Sequence, residues 1–135
     1  MQPQTTNQTD HAAALDVLEA YYDGLYQLDI AKLREVFSPS ARYATIANGS
    51  LLELSIDEYY ARLAQRTAPR DEGVPYGYRV ISLRFAGENT ALAELECSFF
   101  GHDYTDFLSL LRIDGRWRIQ SKVFEGVPHN VKEAS

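Results

Sequence analysis

Leu108-Ser109-Leu110-Leu111-Arg112-Ile113-Asp114-Gly115-Arg116-Trp117-Arg118-Ile119 is the stretch on which the fold turns. Two runs of aliphatic, aromatic and arginine residues flank Asp114-Gly115, a dipeptide that strongly favours a two-residue hairpin turn. Such a turn pairs Arg112 with Trp117, Leu110 with Ile119, Leu108 with Ser121 and Asp106 with Val123, all on one face. Alternation along the strands sends Phe107, Ser109, Leu111, Ile113, Arg116, Arg118, Gln120, Lys122 and Phe124 to the other. The first face is the more apolar, so it is expected to meet the helices, and Tyr104 and His102 share its parity. The second face mixes Phe107, Leu111 and Phe124 with basic residues and is expected to join two chains as a homodimer.

Upstream, Arg79 to Ala86, the turn Gly87-Glu88-Asn89 and Ala91 to Phe100 read as another hairpin, with a break at Gly101. Thr67 to Pro75 is loop. Ser55-Ile56-Asp57-Glu58 has the form of a capping box, opening a helix that buries Ile56, Tyr59, Tyr60 and Leu63 and closes around Arg66. A small hairpin precedes it, Ala41 to Ile46 and Leu51 to Leu54 around Asn48-Gly49. Before that, Leu18, Tyr21, Leu25 and Leu28 recur at helical spacing from a start capped by Thr9 or Asp10. Asp29 caps a shorter helix carrying Ile30, Leu33, Val36 and Phe37, which stops at Ser38-Pro39.

The predicted fold class is therefore α+β: three helices packed on a curved, mostly antiparallel β-sheet, a cone-shaped barrel. Residues 1–9 form a disordered lead-in, 10–127 a single domain and 128–135 a flexible tail. The 135 residues, 45% hydrophobic, suffice for one core without disulfides, and the single cysteine, Cys97, reads as buried filler. With one cysteine and no leader pattern, the expected compartment is the cytoplasm. The net charge of −6 argues against nucleic acid as a partner. No apolar run approaches the ~20 residues that span a bilayer, so no membrane association is expected. His11, His102 and His129 have no neighbours at metal-binding spacing, and no glycine-rich phosphate cradle or serine elbow is present. Neither a metal nor a cofactor is expected.

Several fragments in order carry a family resemblance: Tyr21-Tyr22-Asp23-Gly24-Leu25-Tyr26 with Asp29 and Leu33, Phe37-Ser38-Pro39-Ser40-Ala41, Tyr104-Thr105-Asp106-Phe107, the hairpin above, and Lys122-Val123-Phe124. From about Asp10 to Val127 the chain resembles the nuclear transport factor 2-like superfamily, the SnoaL-like cone fold of ketosteroid isomerases, scytalone dehydratase and polyketide cyclases. It is most similar to the branch described as putative lumazine-binding proteins. The resemblance implies the cone fold with a pocket at its wide end. It leaves the activity open, since that fold hosts isomerases, dehydratases, transport factors and ligand binders.

Within the resemblance, Tyr21 matches the helix tyrosine that donates to a substrate oxyanion in ketosteroid isomerases. Their carboxylate base falls at about Thr45, which cannot accept a proton, and the acid beside the tyrosine falls at Leu108 or Ser109. Steroid isomerisation is thus disfavoured. Asp106 is the acidic residue placed inward among Leu108, Leu110, Trp117 and Ile119, where a carboxylate out of water suits general acid or base chemistry. Tyr104 lies about 7 Å along the strand, within reach of the same ligand, while His102 at roughly 13 Å is too far to form a dyad.

Tyr22, Leu25, Tyr43, Tyr60, Leu108, Leu110, Trp117 and Ser121 are the candidate ligand-binding residues around the catalytic candidates Asp106, Tyr21 and Tyr104. The leading expectation is a small-molecule-binding domain with an apolar, aromatic-lined pocket. The alternatives are a cofactor-independent isomerase, lyase or dehydratase using Asp106 with a tyrosine oxyanion donor, and a protein-interaction module.

Overall fold

A computed structural model describes residues 8–129. The elements run α1 (Gln8–Gln27), α2 (Ile30–Val36), β1 (Phe37–Ala47), β2 (Ser50–Ser55), α3 (Ile56–Leu63), a 3-10 turn at Pro69–Glu72, β3 (Tyr78–Ala86), β4 (Thr90–Phe99), β5 (His102–Ile113) and β6 (Arg116–Pro128). The expected lead-in and tail lie, apart from residues 8–9 and 128–129, outside the described residues.

One six-stranded sheet, ordered β2-β1-β6-β5-β4-β3, curves around the helices without closing. Every neighbouring pair is antiparallel except β1 and β6. The α+β class follows directly. The buried stripe of α1, Ala14, Leu18, Tyr21, Tyr22 and Leu25, meets the inner sheet face with Leu33 and Val36 of α2 and Tyr59, Tyr60 and Leu63 of α3.

Local signals act where the sequence puts them. Asp29 accepts the Lys32 N–H at 3.1 Å to start α2. Ser55 and Glu58 make both bonds of the capping box, at 3.1 and 2.8 Å, and start α3. Asp10 lies in the first turn of α1, and its carboxylate pairs with the Arg112 guanidinium at 2.7 Å. The hairpin turns Asn48-Gly49 and Asp114-Gly115 have both central residues at positive φ, and so does Phe100-Gly101. What reads as a break at Gly101 is thus a third two-residue turn, and His102 opens β5 opposite Phe99.

The boundary between α2 and β1 moves. β1 begins at Phe37 rather than beyond Pro39, and its pairing with β6 is irregular between Phe37 and Arg42, where the missing N–H of Pro39 is tolerated. Opposite that irregularity, β6 carries a bulge. Leu110 pairs with Ile119, but Ser109 pairs with Ser121, leaving Gln120 unpaired in the β5 ladder. The Gln120 amide instead reaches back to the Ser40 hydroxyl at 3.1 Å.

One extra residue reverses every side chain after it. Leu108 therefore faces Lys122, and Asp106 faces Phe124. Ser121, expected inside, turns outward and shares a hydrogen bond with Ser109. Phe124, expected outside as part of a dimer face, turns inward, and Val123 takes its place, half-exposed beside Phe107.

Candidate functional site

The reversed end of β6 brings Lys122 to the end of the sheet away from the Asp114-Gly115 turn, where the inner face is not filled. A cavity of about 50 Å³ lies among Leu25 of α1, Tyr43 of β1, Tyr59 and Leu63 of α3, Cys97 and Phe99 of β4, Tyr104 and Asp106 of β5, and Lys122 and Phe124 of β6. That volume holds a few atoms of a ligand or a small water cluster. Tyr43, Tyr59, Leu63, Arg66, Tyr104 and Phe124 also line an open cleft of about 740 Å³, so the cavity forms its floor.

Asp106 is 1% exposed. Its Oδ2 accepts the Tyr21 hydroxyl at 2.6 Å, and its Oδ1 is buried with no hydrogen-bond partner among the described residues. Burial, and after it the neighbouring Asp106, hold the Tyr21 phenol well above its ordinary pKa, so Tyr21 stays a donor.

Lys122 is 7% exposed and donates to the Tyr59 hydroxyl at 3.0 Å. Its ammonium lies 4.9 to 5.9 Å from the ring centres of Tyr21, Tyr43, Tyr59 and Phe124. Burial alone would lower the lysine, but the Tyr59 oxygen and the Asp106 carboxylate outweigh it and hold the ammonium above its ordinary value. Burial raises the Tyr59 phenol despite the lysine's opposing pull. Tyr59 therefore remains protonated at neutral pH, and Asp106 is the negative charge that Lys122 feels.

The aromatic wall has two further supports. Tyr104 lies across β6 because its partner is Gly126: a Cβ there would stand 2.5 Å from the Tyr104 ring. Phe100 sits in the left-handed region at φ 52°, with the Arg66 guanidinium 4.2 Å above its ring centre. Cys97 is inert, its thiol pushed up to about 12 by burial and then by Asp106.

Of the residues singled out in the sequence, Asp106, Tyr104, Leu25 and Tyr43 line the cavity, and Tyr21 joins them through Asp106. The acid beside the first-helix tyrosine is Asp106, where the resemblance pointed to Leu108 or Ser109. Thr45 donates its hydroxyl to the Phe124 carbonyl at 2.6 Å. Tyr22 stacks on Tyr78 and Phe99 and accepts the Gly77 N–H at 2.9 Å, while Tyr60 donates to the Leu33 carbonyl at 3.4 Å. Leu108, Leu110 and Trp117 belong to the packed core, with Trp117 edge-on to Phe85. Ser121 is on the opposite face.

Sequence reasoning missed Lys122, Tyr59, Phe124 and Arg66. Simple alternation sent Lys122 and Phe124 outward. The adjacent pair Val123-Phe124 was the available signal, since either register buries one large apolar group.

The family model described as putative lumazine-binding matches residues 9–125, nearly the whole described chain. The chain belongs to the putative lumazine-binding family. Aldolase FrzH of Cladobotryum sp. is 26% identical over 122 residues, covering 89% of this chain and 94% of that protein. A nuclear transport factor 2-like protein of unknown function from Shewanella baltica OS155 superposes with a TM-score of 0.81 at 24% identity, covering 92% of this chain and 98% of that one. Another, from Silicibacter pomeroyi DSS-3, gives 0.77 at 25% identity over 90% and 99% of the chains. This member of the putative lumazine-binding family thus has the nuclear transport factor 2-like fold, and family and fold support a ligand-binding or SnoaL-like domain. Among the described residues no helix is long and apolar enough to cross a membrane, and no cluster of His, Cys, Asp and Glu could hold a metal ion.

Proposed function

We propose that the protein binds a compact, planar small molecule in the cavity at the wide end of the cone, with the larger part of the ligand in the cleft above. The observation that carries this reading is the buried, incompletely satisfied polar pair Asp106 and Lys122 inside an aromatic wall. Two buried side-chain atoms lack a partner among the described residues, Asp106 Oδ1 and Trp117 Nε1, and of these it is Asp106 that lines the cavity. A pteridine such as lumazine, to which the family description points, offers a flat face for Tyr43, Tyr104 and Phe124. It also offers both N–H and carbonyl groups for the polar pair.

Fluorescence titration of lumazine, with native mass spectrometry of the protein as purified, tests this. Saturable binding of one molecule, weakened by Tyr43→Ala and Phe124→Ala, is the expected result. Absence of both lumazine binding and any retained molecule overturns it.

The unpartnered Oδ1 of Asp106 favours a second reading, acid-base catalysis on a carbonyl compound, and an aldolase among the relatives is consistent with it. In that reading Asp106 takes or returns the proton beside the carbonyl. Deuterium wash-in at the α-carbon of simple 1,3-diketones, followed by NMR, detects such proton transfer, and Asp106→Asn should abolish it without abolishing binding.

Ile81, Leu92, Phe107 and Val123 leave apolar surface on the outer sheet face, and we assign that face to pairing of two copies in the cytoplasm. Sedimentation of the parent and of Phe107→Arg checks it, with a monomeric parent the overturning result.

A further inference from the structure

Lys122 stands outside the acid-base reading and is the least ordinary residue in the core. An ammonium has three N–H donors, and here the Tyr59 hydroxyl is the only hydrogen-bond partner among the described residues. Lys122 also makes none of the ion pairs among them. Asp106 helps to hold the charge from a distance, while its own Oδ2 is taken by Tyr21. The four rings stabilise the cation through their faces but accept no conventional hydrogen bond. Two donors of this buried ammonium therefore remain for something in the cavity.

The surroundings show which sign of charge that something carries. The chain as a whole has a net charge of −6. Yet among the described residues Asp106 is the only acidic one lining the cavity, and none lines the cleft. The cleft is instead edged by Arg62 and Arg66, both exposed and neither in an ion pair among the described residues. Cations at the rim and a cation on the floor, between low-dielectric walls, focus a positive potential into the site against the balance of the whole molecule.

We infer that Lys122 anchors an anionic oxygen of the ligand, so the pocket selects carboxylates, enolates and similar oxyanions over neutral molecules of the same shape. This inference rests on the ligand-binding reading above. A buried ammonium-oxyanion contact also sets orientation: the anionic edge enters first, beside Asp106, and the apolar remainder lies against Tyr43, Tyr104 and Phe124. An N–H or O–H next to that oxygen would satisfy Asp106 Oδ1 at the same time.

The test compares 2-naphthoate with 2-naphthamide, nearly equal in shape but one anionic and the other neutral, by fluorescence titration of the whole chain. Naphthoate should bind at least ~10-fold tighter. That preference should persist at about 0.5 M salt, because a buried charge is screened far less than one at the rim. In Lys122→Met, checked for folding by near-UV circular dichroism, the two affinities should converge; if this variant does not fold, the salt series on the parent still decides. Equal binding of the two compounds overturns the anion inference and leaves the ligand-binding reading standing. A preference that vanishes at high salt assigns the selectivity to Arg62 and Arg66 and overturns the role of Lys122. Failure of both compounds to bind at millimolar concentration removes the pocket reading and the inference with it.

Discussion

Beside the Asp114-Gly115 turn, the inner face of the β5–β6 hairpin is closed: Leu110 and Ile119 are fully buried and Trp117 is covered by the Phe85 ring. Past Gln120 the same face carries Asp106, Lys122 and Phe124 around a cavity. Both regions lie on the same two strands, and α1 runs past both, with α2 beside the Trp117 end and α3 beside the cavity. What separates them is the single unpaired residue, which takes Ser121 out and brings Lys122 in. The packed end is stabilised by apolar contact, with the Trp117 indole N–H as its one buried side-chain donor without a partner among the described residues, and the open end sets Asp106 and Lys122 around a cavity. A bulge is a compact way to place both on one hairpin.

The comparison breaks first at Trp117. If the narrow end is the stability-bearing one, Trp117→Ala should destabilise the chain by about 3–5 kcal/mol in denaturant unfolding, as deletion of a buried large aromatic does. A loss under ~1 kcal/mol would put the packed end elsewhere.

The open end should respond less, and in a coupled way. Asp106→Asn keeps the shape but removes the negative charge nearest Lys122, so a loss of about 1–3 kcal/mol is expected. A raised midpoint would instead mark a strained functional carboxylate and strengthen the acid-base reading. Combining it with Lys122→Met should restore part of the loss, with a coupling of about 0.5–3 kcal/mol in the double-mutant cycle. Additive effects would show that the two residues do not sense one another.

Smaller again is the effect of Ser55→Ala, which removes one of the two capping bonds that start α3, the helix supplying Tyr59 and Leu63 to the cavity wall. About 1 kcal/mol of stability should go, with near-native folding by circular dichroism. No measurable change would show that packing alone fixes α3.

The smallest effect sharpens the contrast by pH. The folded-state pKa of Lys122 lies above its ordinary value. Its contribution is therefore fully present below the ordinary lysine value of about 10.4 and is lost only as pH climbs through the folded-state value. Tyr21 and Tyr59, raised mainly by burial, are neutral in the folded state and act in the same direction above about pH 10. Thermal midpoints should hence not vary with pH through these groups between pH 7 and about 9 and should fall beyond pH 10. A drop near neutral pH traced to Lys122 would contradict the cage described for it.

Several features could be read in the sequence because neighbours in the chain specify them. Asp29, the Ser55–Glu58 box and the turns at Asn48-Gly49 and Asp114-Gly115 each work through groups within a few residues, and each takes its expected place. The stripe of Leu18, Tyr21 and Leu25 follows from helical geometry alone. Asp106 was legible as an inward carboxylate because β5 has no bulge of its own between it and Leu108. Its partner Tyr21, 85 positions away, became visible as a neighbour only once the helix lay on the sheet.

The sequence by itself therefore determined the α+β class, the element order, the caps and turns, and the inward side of β5, all from periodicity and short-range hydrogen bonding. Tertiary structure alone decided which side of β6 reaches the site. The bulge at Gln120 sits where β1 and β5 both flank β6, opposite the irregular Ser38-Pro39-Ser40 segment, and its amide bonds to Ser40 far away in the chain. No local preference encodes that choice, because Val123 and Phe124 make either register acceptable to the hydrophobic effect. The neighbouring strand settles it, and in settling it puts a lysine where the pattern of the chain asks for a serine.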